Sequence, residues 1–425
     1  MSKTLILPYH ITHVHLNCQL NLPLLEHRGQ GNYLVFWWRE ISLGHLFIEP
    51  NHPCSESDYW TALKAAITPA VQHYMALANV HSEPWETWLG SGSFEPWGQW
   101  MDALLAFWQP AAVLSQVPVT VIICTRNRAI QLRRCLEMLQ ALPCAPAEII
   151  VVDNASDDAG TQQVAQAFPG VVYVKEPRLG LDIARNMGIV TATSPVIAFV
   201  DDDVVVHPLL LHWIWDAFQQ PRTVALTGLV IALELKTEAQ LIFEKHWSFN
   251  RGYIDKVYGA EFMRTVSGYV PPVWEIGAGA NMAFRKAIFE EVGYFDELLD
   301  VGAAGCSGDS ELWHRILSYG HAIHYNPRAV AYHEHRREMS GLKHQLHYYL
   351  RGHVAAALTQ HAQQPQRGYA RHIYFNLPKY YAYLLRAGFP FFRFRYRTLW
   401  AEIRGIVSGI AFYYRTRNRT TKQKH

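Results

Sequence analysis

Cysteine is scarce in this chain of 425 residues, and the six present (Cys18, Cys54, Cys124, Cys135, Cys144 and Cys306) show no C-x-x-C or paired spacing. That excludes a zinc ribbon or a disulfide framework as the organising device and points to a reducing compartment. Long apolar runs are missing too. No stretch reaches the roughly 18 uninterrupted apolar residues of a spanning helix, and residues 1–12 hold one lysine and no sustained apolar core, so no signal peptide is expected. A P-loop is absent. Charged residues make up only 17% while half are hydrophobic, a balance that excludes disorder and fits a globular protein.

What is present is unevenly spread. Residues 366–425 carry thirteen Lys or Arg against one acid, Glu402, which leaves 25 basic and 35 acidic residues for everything before them under a formal net charge of +2. Such a split marks the tail as a partner for a polyanion. The length allows two or three domains. Three units are expected: residues 1–112, a small α+β accessory domain; 113–340, an α/β domain; and 341–425, a helical basic-aromatic extension.

In the first unit, 33–38 and 46–48 read as strands around a Ser42-Leu43-Gly44 turn, and 58–78 has helical spacing. His10, His13 and His15 lack a third ligand on one face, so no metal site is expected there. From Val117 strands and helices alternate. The spacing predicts strands over 119–124, 149–152, 171–174 and 224–231, and helices over 129–142 (Ile130, Leu132, Leu136 and Leu139 inward) and 208–219. Strand, helix, strand at this spacing implies right-handed crossovers and a mostly parallel sheet.

The organising stretch is Pro195-Val196-Ile197-Ala198-Phe199-Val200-Asp201-Asp202-Asp203, an apolar run ending in three carboxylates. A buried strand would deliver those acids to its C-terminal edge, where open α/β sheets bind ligands, and their mutual repulsion calls for a hard divalent cation carrying a phosphorylated ligand. Asp153, ending the second strand, can accept hydrogen bonds from ribose or base. Gly180 permits a tight turn, Asp182 opens a helix, and Arg185 can reach a pyrophosphate. Residues 234–270 show no clear period and read as a lid or substrate loop. Small residues at 277–280 would let backbone approach a ligand. Asp309 is expected at a helix N-terminus, fixed by the dipole and free N–H groups. After it, 323–325 and 329–332 read as two short strands. Alternation puts His333 and His335 on one face, and one of them can complete a metal site begun by the aspartates.

Together these motifs resemble the family 2 glycosyltransferases of GT-A fold. The resemblance rests on Cys124-Thr125-Arg126-Asn127-Arg128, Val151 to Asp157, Gly180 to Asn186, the DxD-type Asp201-Asp202-Asp203, Gly277 to Phe284, Gly293 to Glu297 and Gly308-Asp309-Ser310-Glu311-Leu312, and it covers about half the chain. It implies an inverting, metal-dependent transfer of one sugar from a nucleotide-diphosphate sugar to a hydroxyl of a glycan or lipid-linked acceptor. By the same resemblance Thr125, Asn127, Arg128, Asp153, Arg185, Asp201 and Asp202 would bind the donor. Asp203 and His333 would take Mn²⁺ or Mg²⁺, Gly279, Asn281 and Glu311 would touch acceptor or sugar, and Asp309 would be the catalytic base. The family's usual Glu-Asp pair reads Gly308-Asp309 here. The Gln-x-x-Arg-Trp motif of processive members is missing, so one transfer per acceptor is expected, not polymerisation.

Rival classes are a nucleotidyltransferase and a non-catalytic nucleotide-sugar binder. The first should show Gly-x-Gly-x-Arg after its first strand, whereas 125–128 contains no glycine; the second should have lost acids that this chain keeps. In the tail, Tyr, Phe and Trp interleave with Arg393, Arg395 and Arg397, the composition of a segment lying in a membrane interface. A basic helical cap or a nucleic-acid platform would share that composition; no nucleic acid is expected. The expected location is cytoplasmic, peripheral on the inner face of the membrane.

Overall fold

The computed structural model describes residues 8–18, 21–25, 29–51, 54–80, 84–91, 94–264, 270–365 and 367–420. Residues 265–269 of the 234–270 stretch and 421–425 of the basic tail lie outside the described residues.

Strands β1 (Tyr9–His15), β2 (Gly31–Trp38) and β3 (Ile41–Ile48) form a small sheet, β1 parallel and β3 antiparallel to β2. All eight residues of β2 are buried. Helix Glu56–Leu77 packs on this sheet, and the core continues into Leu229, Ile231 and Val330 of the central sheet. The hairpin turns at Arg39 and Glu40, while Ser42, Leu43 and Gly44 lie within β3. Gly44 serves close packing, because a Cβ there would overlap the Ala66 carbonyl of the helix. His13 accepts a hydrogen bond from the Trp37 indole.

The central sheet comprises β4 (Gln116–Thr125), β5 (Ala145–Asn154), β6 (Val171–Glu176), β7 (Val196–Val200), β8 (Val204–Val206), β9 (Ala225–Ala232), β10 (Lys256–Tyr258), β11 (Asn281–Arg285) and β12 (Ile323–His333). Their order is β10-β12-β9-β11-β7-β4-β5-β6, with β8 beside β12. The half β7-β4-β5-β6 is parallel, as the crossover spacing implies. β11 then runs antiparallel between β7 and β9, so the sheet as a whole is mixed. Helix Ala129–Gln140 buries Leu132, Leu136 and Leu139 but leaves Ile130 exposed at its first turn. The two short strands expected at 323–332 are one strand, irregular between Asn326 and Val330. The 234–270 stretch is more regular than its sequence suggests. Thr237 and Gln240 form a capping box that starts helix Glu238–His246, and β10 and helix Ala260–Arg264 follow.

From Met339 the chain is helical. Helices Met339–Gln363 and Leu399–Thr420 pack along each other, and the first lies over the loop that leads into Asp309, with Gly352 against the Cys306 backbone. Among the described residues no helix is long and apolar enough to cross a membrane.

Candidate active site

Buried β7 carries the aspartate triplet to the sheet rim, next to the end of β4. Asp202 Oδ2 accepts from Thr125 Oγ1 at 2.6 Å and its Oδ1 from Arg128 Nη1 at 2.6 Å, while the same Nη1 reaches Asp203 Oδ2 at 3.0 Å. One guanidinium thus serves two carboxylates. Burial, with the like charge of Asp203 adding, pushes Asp201 up to about 7.

β12 brings His333 to the same rim, its Nε2 3.8 Å from Asp203 Oδ1. That separation is beyond a hydrogen bond. A small side-chain adjustment would bring the two groups to one cation as neighbouring ligands. Burial pushes the His333 imidazole down to about 4, which keeps it neutral and able to ligate. Among the described residues no three His, Cys, Asp or Glu side chains converge to hold a metal by themselves. A donor set this small fits an ion that keeps waters and substrate phosphates as its remaining ligands, as Mg²⁺ does.

A second cluster faces the first. Arg185, on helix Leu181–Thr191, donates through Nη1 to Asp182 Oδ1 at 2.9 Å and Asp300 Oδ2 at 2.8 Å. Asp309 is not the cap of its helix. It lies inside the first turn of Gly308–Ser318, behind Ser307 in the left-handed conformation (φ 79°), and its Oδ1 accepts from the Ser310 N–H at 2.6 Å. Burial raises Asp309 above the usual carboxylate range, Asp300 adding to the effect and Arg185 opposing it. Gly279 is wedged between the two; a Cβ there would stand 3.0 Å from Arg185 Nη2 and 3.1 Å from Asp309 Oδ2. Gly308 abuts the Asp182 carboxylate so closely that a Cβ would overlap it. Asp182 Oδ2 is buried without a hydrogen-bond partner. Glu311 pairs with Arg315 at 2.8 Å.

Thr125, Arg128, Arg185, the aspartate triplet, Gly279, Asp309, Glu311 and His333 line one cleft of about 1720 Å³, shared with Trp247 and Trp274 of the middle of the chain and Tyr348 and Tyr380 of the tail. Asn127 and Asp153 do not line it. They sit at the neighbouring rim of β4 and β5, where Asn127 exchanges hydrogen bonds with Asp157 (2.6 and 2.9 Å) and Asp153 Oδ2 accepts from Tyr173 at 2.7 Å. Asp153 Oδ1 is buried and unpaired. Asn281 corrects the expectation of an acceptor or sugar contact: its amide donates to the Leu229 and Ala329 carbonyls at 3.2 and 2.9 Å, tying β11 to its neighbours, and it is buried away from the cleft. Sequence reasoning missed Asp300 and took Asp182 for a helix opener only. No local pattern marks them, since they meet through Arg185.

Residues 120–293 match the model of glycosyl transferase family 2. A pre-mycofactocin glycosyltransferase of Mycobacterium tuberculosis is 28% identical over 242 residues, 56% of this chain and 47% of that protein. A glucosyl-dolichyl phosphate glucuronosyltransferase of Haloferax volcanii is 23% identical over 189 residues, 42% of this chain and 56% of its own length. The chain therefore spans about half the length of these relatives. Among solved structures, the mannosyltransferase PcManGT from Pyrobaculum calidifontis, in complex with GDP-Man and Mn²⁺, overlays with a TM-score of 0.46 at 18% identity, covering 74% of this chain and 95% of that one. The sheet with its carboxylate rim agrees with the GT-A fold that the motifs implied, and residues 120–293 are the part of the chain that matches glycosyl transferase family 2.

Proposed function

We propose that the chain transfers a single sugar, with inversion, from a nucleoside-diphosphate sugar to an acceptor hydroxyl. The observation that carries this is the convergence of the Asp201–Asp203 rim and Asp309, from chain positions about a hundred residues apart, on one cleft. Residues 113–340 are the catalytic unit of this proposal, 1–112 an accessory unit and 341–425 its extension. Asp203 and His333 would hold Mn²⁺ or Mg²⁺, which when bound neutralises the leaving diphosphate. Thr125, Arg128, Asp201 and Asp202 border the donor, and Arg185 lies within electrostatic reach of both Asp201 and Asp309. Asp309 takes the proton of the acceptor hydroxyl while that oxygen bonds the anomeric carbon and the bond to the diphosphate oxygen breaks on the opposite face. A carboxylate raised by burial is a better proton acceptor than a free one, provided the pH lies above its own titration.

An acceptor at a membrane surface fits the same cleft. Its wall continues into the tail, where Phe375, Phe389, Phe391 and Trp400 are 57–73% exposed beside exposed Lys379, Arg386, Arg393 and Arg404. The one acid of that segment, Glu402, is buried. Among the described residues every exposed charge there is positive, which suits an anionic lipid face, and the name of one relative includes a dolichyl phosphate.

Thermal-shift screening of nucleotide sugars with Mn²⁺ tests the donor. One donor should raise Tm selectively, by about 2.7 kcal/mol of stabilisation at a hundredfold excess over Kd, and failure of every donor would sink the reading. Phe389→Ser with Phe391→Ser should reduce pelleting with anionic vesicles; unchanged pelleting would remove the membrane.

A further inference from the structure

Behind His333, away from the cleft, run two buried side chains that the transfer reaction does not itself use, His335 and Glu244. His333 Nδ1 lies 3.0 Å from His335 Nδ1, and His335 Nε2 lies 2.9 Å from Glu244 Oε2. The side chains of His335 and Glu244 are 1% and 3% exposed. The rings are held from turning: Phe243 lies 4.6 Å from His335 and Phe249 5.2 Å from His333, centroid to centroid. Glu244 comes from helix Glu238–His246, whose Gln240 also donates to the His335 carbonyl at 3.3 Å. On its far side the Tyr33 hydroxyl of β2 stands 3.5 Å from Glu244 Oε1.

We propose that Glu244 and His335 are positioning residues that fix which nitrogen of His333 carries hydrogen, and so aim a bare Nε2 at the cation. The proposal rests on the cation reading given above. If Nε2 of His333 binds a cation, that nitrogen has no hydrogen, so the single hydrogen of the neutral ring sits on Nδ1. It can be donated only if His335 Nδ1 is bare, which puts the hydrogen of His335 on Nε2. A carboxylate accepts and never donates when ionised, and Glu244 stands where that hydrogen points. With a cation on His333, each of the two links has one donor and one acceptor, and no other assignment of the same neutral rings satisfies both. Outer partners of this kind orient a ligand and raise its basicity. The arrangement also gives the 234–270 stretch and the first unit a physical connection to the rim, through Glu244 and then Tyr33.

Mn²⁺ uptake by the full chain, read from loss of the free-ion electron paramagnetic resonance signal with and without UDP or GDP, tests this. Glu244→Leu and His335→Phe should each weaken Mn²⁺ binding on the order of 10–100-fold. Glu244→Gln keeps an oxygen that accepts from His335 Nε2 and should stay within a few-fold of the unaltered chain. His335→Phe preserves ring volume against Phe243, so it reads the same link should Glu244→Leu fail to fold. A folded His335→Phe or Glu244→Leu protein with unaltered Mn²⁺ affinity would overturn the proposal while leaving the cation reading intact. So would a Glu244→Gln as weak as Glu244→Leu, since charge and not hydrogen direction would then be the cause. Absence of Mn²⁺ uptake by the unaltered chain would overturn both.

Discussion

Two buried carboxylate clusters in this molecule make opposite use of the same chemistry. In the tail, Glu402 is fully buried and each of its oxygens has two donors: Arg395 Nη1 at 2.7 Å and Thr398 at 2.6 Å on one, Arg395 Nη2 and the Tyr381 hydroxyl, both at 2.9 Å, on the other. At the cleft Arg128 and Arg185 face Asp182, Asp201, Asp202, Asp203, Asp300 and Asp309. Asp182 keeps an unpaired oxygen there, and both Asp201 and Asp309 are raised. A satisfied cluster holds helices together; a cluster with surplus acid is built to receive positive charge.

Several measurements would break or sharpen this contrast. The largest effect is expected from Asp309→Asn, which should lower transfer on the order of 10²–10⁴-fold with donor-induced thermal shift retained; full activity would remove Asp309 as the base. Glu402→Leu should cost roughly 3–5 kcal/mol by stranding Arg395, seen as a lower denaturation midpoint, while Mn²⁺ affinity of the folded fraction stays unchanged. A loss under about 1 kcal/mol would mean the tail cluster is no more valuable than a surface pair.

Gly308→Ala joins sequence to site directly. Its Cβ would press on the Asp182 carboxylate, so about 1–3 kcal/mol of overpacking is expected, with activity falling through the displaced Asp182 and Arg185. Unchanged Tm and activity would show that Asp182 moves freely.

The smallest effect concerns pH. Asp201 titrates at about 7 in the folded chain, above the value of about 3.9 for a free aspartate. Folding therefore favours its protonated form: the contribution to stability is fully present below about pH 4 and is lost as pH rises through about 7. Without cation, Tm should decline between about pH 4 and 7 on this group's account, and Mn²⁺ should restore most of it at the upper end. Mn²⁺ affinity should weaken below pH 7, because a protonated Asp201 adds no negative charge beside the Asp203 and His333 that would hold the cation. An affinity independent of pH would place the cation away from Asp201.

The legible parts of the site were those whose function coincides with a local pattern. An apolar run closing on three acids reads as a strand delivering carboxylates to a rim, and β7 does so because a strand buried on both faces must be apolar until it leaves the sheet. Alternation put His333 and His335 on one face, and their Nδ1 atoms do stand 3.0 Å apart. Asn281, which the resemblance implied as an acceptor or sugar contact, instead satisfies carbonyls where β9, β11 and β12 meet. The helix at 238–246 was missed because its weak hydrophobic period hid it; Thr237 and Gln240, spaced as a capping box, were the available signal.

The sequence alone determined the strand and helix alternation from Val117, the acid-tipped β7 and the basic, nearly acid-free tail, because each depends on neighbours within a few residues. Tertiary structure decided which groups meet: Asp182 beside Gly308, Asp182 and Asp300 on Arg185, and Glu244 reaching His333 through His335. Electrostatic coupling falls off with distance in space and rises with burial, and neither quantity is written in the spacing of residues along the chain.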